Sequence, residues 1–192
     1  MGEITDTMNR GDYGYGMKKL RQQILLCAGC CVLVFGALIL GICLTGTRKN
    51  IFTVGAICSV LPAATFAVNI VARSKGLPLK KTEYRRFAEV TGDNVTACDM
   101  IVKANQKLVP IKAAVFSEHG IVGYTALKKI DVKQSERDVN GLLKSVGIYG
   151  KIQLFTDYDA FLKRVKGIAA PESEEVRKEL EKKRYDFLVY SM

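Results

Sequence analysis

Few residues in this chain are of types that catalyse reactions, and they are scattered. His119 is the only histidine among 192 residues, which excludes a histidine-rich metal site. Cys98-Asp99 together with His119 has the residue types of a nucleophile and its base. Asp157-x-Asp159 has the form of a carboxylate pair for a divalent cation, and Glu118 adds another acid. Each has a plainer account. Asp157 and Asp159 stand directly ahead of a helical pattern, where carboxylates cap free amides. Glu118 and His119 fall in a turn between two apolar runs. Cys27-x-x-Cys30-Cys31 has the spacing of a redox or metal motif, yet it lies in an uncharged apolar run. No cation there would hold a thiolate, so these cysteines read as small apolar residues. There is no Walker loop and no GxGxxG. No catalytic, cofactor-binding or metal residue is therefore assigned, no cofactor is expected, and the balance leans away from an enzyme.

The elements that carry these residues divide sharply. Ile24 to Gly46 is free of charge, and so is Ile51 to Ala72. A hydrocarbon core of about 30 Å needs about 20 helical residues, and both runs suffice. The first is too long for the apolar region of a secretory signal, and no small-x-small cleavage site follows cleanly before Arg48. The expected organisation is a cytoplasmic disordered tail over 1–23, transmembrane helices over 24–46 and 51–72, and an extracytoplasmic loop over 47–50. A basic juxtamembrane segment over 73–86 and a cytoplasmic domain over 87–192 follow. The fold class is thus a small α/β (or α+β) domain after a two-helix transmembrane hairpin.

Charge sets the expected orientation. The formal net charge is +10, and residues 73–86 carry six basic side chains against one acid. These are Arg73, Lys75, Lys80, Lys81, Arg85 and Arg86, placed where anionic headgroups attract cations. With Lys18, Lys19 and Arg21 before the first run, they outnumber Arg48 and Lys49 of the loop. Both termini are expected in the cytoplasm. Residues 87–192 are close to neutral, which makes nucleic acid a poorly supported partner.

Within the second run Gly55, Ser59, Ala63 and Ala67 recur every four residues, a stripe of small side chains on one helix face. Such stripes let membrane helices approach closely, here within the hairpin or in a homo-oligomer. Pro62 predicts a kink. Neither run contains an ionisable acid or base, which argues against a pump or proton channel.

In the domain the patterns predict a basic amphipathic helix over Leu79–Val90 and a short strand over Cys98–Val102. A hairpin of Ile111–Phe116 and Ile121–Tyr124 turns at Gly120. A helix over Ser135–Val146 and a strand over Lys151–Phe155 come next. Thr156 and Asp159 cap a helix to about Lys166, and a last helix starts at Pro171. The order is helix, strand, strand, strand, helix, strand, helix, helix. That order is similar to the restriction-endonuclease-like fold, and IKAAVFSEHGIVGYTAL (111–127) resembles the hairpin of its nuclease-related domain. In that family an Asp opens one strand and Glu-x-Lys ends the next, together holding a metal and assisting a water nucleophile. Here Lys112, Thr125 and Leu127 stand at those positions. The resemblance therefore implies the scaffold without the nuclease chemistry, and no catalytic residue carries over.

The reading is a bacterial-type cell-membrane protein that tethers a non-catalytic, partner-binding domain. Its partners would be the anionic lipid surface and a cytoplasmic or membrane protein. The alternatives are a membrane-bound nuclease-like or nucleotide-acting enzyme using Asp99, Glu118, Asp157 and Asp159, or a subunit of a small oligomeric channel or transporter.

Overall fold

The computed structural model describes residues 9–46, 51–74, 76–126 and 131–191. Tail residues 1–8, the 47–50 loop with Arg48 and Lys49, Lys75, residues 127–130 and Met192 lie outside the described residues. The chain forms two compact units, Met17–Lys75 and Met1–Gly16 with Gly76–Met192.

The first unit consists of α1 (Tyr15–Thr45) and α2 (Ile51–Ser74). Both are long and apolar enough to cross a membrane. Their 31 and 24 residues extend about 46 and 36 Å at 1.5 Å per residue. Helix α1 starts nine residues before Ile24, where the charge-free run begins. Lys, Arg, Leu and Gln of that stretch are good helix formers and nothing interrupts them. Large apolar side chains point outward, with Leu25 73%, Val32 70% and Leu61 74% exposed. Two hydroxyls of α2 turn back on their own helix: Ser59 donates to the Gly55 carbonyl (2.9 Å) and Thr65 to that of Leu61 (3.1 Å). A polar group closed in this way does not need water. Pro62 sits inside α2, and the helix continues through it.

The second unit contains α3 (Lys81–Thr91), β1 (Thr96–Ala104), β2 (Lys107–Ser117), β3 (Gly120–Tyr124) and α4 (Val132–Ser145). It is completed by β4 (Lys151–Phe155), α5 (Tyr158–Lys166) and α6 (Glu174–Val189). The element order is the one expected. The four strands form one mixed sheet in the order β1-β2-β3-β4, antiparallel except for the parallel β3–β4 pair that α4 connects. Helices α4 and α6 cover one face, over Met100, Ile111, Phe116 and Leu154. Helices α3 and α5 cover the other, over Val115, Val122 and Tyr124.

Several boundaries differ from the sequence pattern for identifiable reasons. Strand β2 runs back through Pro110 because residues 107–112 pair with β1 alone, which leaves the missing amide at a local edge. Strand β1 extends to Ala104 because Asn105 (φ 47°) and Gln106 (φ 63°) make a two-residue turn of the primed type. Helix α4 starts at Val132, capped by Asp131, whose carboxylate accepts from the Gln134 amide (3.1 Å). Asp157 rather than Thr156 caps α5, and Ser173 rather than Pro171 opens α6. Gly120 belongs to β3, and its need for glycine comes from β4. A Cβ at its φ of 150° would run into the Lys151 carbonyl.

Both sheet edges are covered, which removes templates for pairing with other chains. Along β4, Asn140 of α4 accepts from the Ile152 amide (2.7 Å) and donates to its carbonyl (3.2 Å). Glu136 takes the Leu154 amide (2.6 Å). Along β1, the Cys98 amide donates to the Gly11 carbonyl (2.7 Å), and Ser191 bridges Val102.

Candidate functional site

Strand β1 carries the most unusual backbone in the domain. Residues three apart in a regular strand face opposite ways. Here Ala97 and Met100 share the α4/α6 face, and so do Ile111 and Ala114 of β2. Both strands therefore slip phase once, and the slips lie opposite each other. The pairs Cys98–Ala113 and Met100–Ile111 enclose Asp99 on one strand and Lys112 on the other. Asp99 holds φ at 56°, a region an aspartate tolerates better than most residues.

Asp99 is 6% exposed. One carboxylate oxygen accepts from the Gly14 amide (2.6 Å), and the other has no hydrogen-bond partner among the described residues. Burial pushes its pKa up from 3.8 to about 6, while the Gly14 and Gly16 amides and the Lys112 ammonium pull it back. The neighbouring Cys98 thiol is pushed up to about 12, chiefly by burial and then by the Asp99 charge. It stays protonated and unreactive at neutral pH.

Residues 9–16, part of the stretch whose composition predicts disorder, pack on this unit. Tyr13 stacks on Tyr84 of α3 with ring centroids 3.9 Å apart and donates to the Leu79 carbonyl (2.9 Å). Asp12 meets Arg184 of α6 (3.4 Å). Together they wall a polar cleft of about 440 Å³ with Cys98 on its lining. Composition missed this anchoring because it averages over the tail. The signal was local: two tyrosines among three glycines, aromatic surface that polar sequence cannot otherwise bury.

The acids weighed for catalysis do not converge. The register sets Cys98 opposite Ala113, four residues or about 13 Å at 3.3 Å per residue from the end of β2 at Ser117, and His119 lies in the turn beyond that end. Glu118 and His119 are exposed in the β2–β3 turn. Asp157 accepts from the Asp159 amide (3.2 Å), and Asp159 pairs with Arg86 (3.2 Å). Among the described residues, no group of three histidine, cysteine, aspartate or glutamate side chains could hold a metal ion. Of the positions marked by the nuclease-domain resemblance, Lys112 lies mid-strand facing Asp99, and Thr125 is fully buried just after β3. Leu127 lies outside the described residues.

On α2, Gly55 and Ala67 are exposed, while Ser59 and Ala63 are half-buried. A Cβ at Gly55 would meet nothing within 4 Å, whereas the Ala63 carbonyl receives the Cys27 thiol (3.9 Å). Of the basic segment, Arg73 is half-buried in the last turn of α2. Lys80, Lys81, Arg85 and Arg86 stand exposed on or beside α3, and Lys75 is outside the described residues. The Tyr158 hydroxyl bonds the Glu83 carbonyl, Arg86 lies over the Tyr158 ring, and Phe87 stacks on Phe161. Helices α3 and α5 are thereby fastened into one layer.

No family model matches the chain, and neither a curated protein nor a solved structure is significantly similar to it.

Proposed function

We propose that the chain is an integral membrane protein whose two helices span the bilayer with both termini in the cytoplasm. In this reading they hold a small α/β domain at the inner surface, where it binds a protein partner. The observation that carries it is the reversal of side-chain placement on α1 and α2. Leucine, valine and phenylalanine face outward from Leu25 to Leu44 and from Val54 to Val71 on helices of 31 and 24 residues, and the Ser59 and Thr65 hydroxyls of α2 are closed on their own helix. The excess of basic residues flanking the runs supports the orientation. The small-residue stripe of α2 offers a surface for another helix, within the hairpin or from a second copy. A tether of this kind raises the local concentration of the domain at the membrane and leaves affinity to its surface.

The test is alkaline carbonate extraction followed by protease treatment of sealed vesicles of defined sidedness. The expected result is a pelleted chain whose 76–192 segment is cut only from the cytoplasmic side. A chain released by carbonate, or termini on opposite sides, overturns the proposal.

A further inference from the structure

We infer that α3 and α5 together form a headgroup-binding face, so that the domain lies with this layer against anionic lipid. This rests on the spanning reading and extends it to residues far from the helices in sequence. Lys163, Arg164 and Lys166 in the last turn of α5 are all exposed. They join Lys80, Lys81, Arg85 and Arg86 of the α3 segment in the layer fastened by Tyr158, Arg86 and the Phe87–Phe161 stack.

The two sides of the sheet differ in charge. The α3/α5 layer over 80–91 and 157–168 carries seven basic side chains against four acidic, a net +3. The α4/α6 layer over 131–146 and 172–191 carries eight against nine, a net −1. Three of the four acids on the basic layer are already engaged. Glu83 takes the Lys80 amide, Asp157 caps α5, and Asp159 pairs with Arg86. Among the described residues, Lys80, Lys81, Arg85, Lys163, Arg164 and Lys166 form no ion pair. Their cations are available to an anionic surface.

Chain connectivity selects lipid as the occupant. Six residues, and so seven Cα-to-Cα steps, lead from Ser74, the end of α2, to Lys81, the start of α3, a reach of at most about 25 Å even when fully extended. The other link arrives at the same layer, because Tyr13, two residues before α1, is stacked on Tyr84 and bonded to Leu79. Leu77, 47% exposed between α2 and α3, supplies an apolar side chain for the interface. A basic layer held within that reach at both links meets headgroups before it meets any soluble polyanion.

The test uses the full chain in nanodiscs of phosphatidylcholine alone or mixed with phosphatidylglycerol, with lysine acetylation read by peptide mass spectrometry. Lys163 and Lys166 are expected to lose reactivity about tenfold in the anionic discs only. They should recover in about 1 M salt, where the screening length is about 3 Å. Lys133, Lys144 and Lys178 of the opposite layer should not change. Lys163→Glu combined with Lys166→Glu should abolish the lipid-dependent protection of Lys80 and Lys81 while the chain still enters discs. Equal acetylation of the α5 lysines in both discs, or protection that appears only when an RNA oligonucleotide is added, overturns the inference and leaves the spanning reading standing. A chain that does not enter discs overturns both.

Discussion

The two units solve opposite problems with similar residues. In the α/β domain Phe87, Phe116, Phe161 and Ile111 are at most 1% exposed, whereas in the helical pair Leu33, Phe35 and Leu61 stand 64–74% exposed. The domain hides apolar surface from water on two sides of a sheet. The helices display it, and the Ser59 and Thr65 hydroxyls of α2 close on their own backbone. The difference teaches that side-chain type alone does not say what surrounds a segment. Its direction, together with the fate of its hydroxyls and amides, does.

Four substitutions would break or sharpen that contrast. Phe161→Ala, which empties the centre of the α3/α5 core, should cost about 3–5 kcal/mol, read as a lowered melting temperature of the domain. Leu61→Asp reverses the usual expectation. At an exposed site in water it would be nearly neutral, but at depth in lipid it should cost about 3–4 kcal/mol of insertion, read as the fraction of chain in membranes. Unchanged membrane content would place Leu61 in water.

The third concerns Asp99. Its carboxyl titrates higher in the folded chain, at about 6, than at its ordinary 3.8. The folded state binds more protons between those values, so domain stability should fall by about 2–3 kcal/mol as pH rises from about 4 to about 6. Asp99→Asn can still accept the Gly14 amide and tolerate the backbone, and should flatten that slope in melts at successive pH values. A slope that survives the change would assign it to another group. The smallest effect is expected from Asn140→Ala. It leaves both Ile152 backbone groups without their side-chain partner and should cost about 1–3 kcal/mol in denaturant unfolding.

Much of this was legible in the sequence, because the signals were local. Charge-free runs longer than 20 residues marked α1 and α2, and period-2 and period-3.6 patterns marked the order of elements in the domain. What escaped depended on partners distant in the chain. The hold on residues 9–16 comes from Tyr84, Leu79 and Asp99, which no local window includes. The glycine at 120 is required by Lys151, on a strand that arrives thirty residues later. The β1–β2 turn uses Asn105-Gln106, and the missing glycine hid a hairpin that the long β1–β2 ladder enforces. The acids read as catalytic candidates dispersed into structural roles, one local and one not: Asp157 caps its own helix, and Asp159 answers Arg86, an arginine of α3 far away in the sequence.

The matched slip of β1 and β2 has a consequence for how this domain can vary. Omit Asp99 and Lys112 from the reckoning, and Ala97, Cys98, Met100 and Val102 alternate without a fault, as do Ile111, Ala113, Ala114 and Val115. The two charged residues amount to a spare rung in an otherwise regular ladder. Losing either one alone would leave the other as a one-residue bulge opposite a regular strand, whereas losing both together would leave every remaining neighbour facing its present core with no bulge at all. Length changes made here in pairs keep the ladder whole.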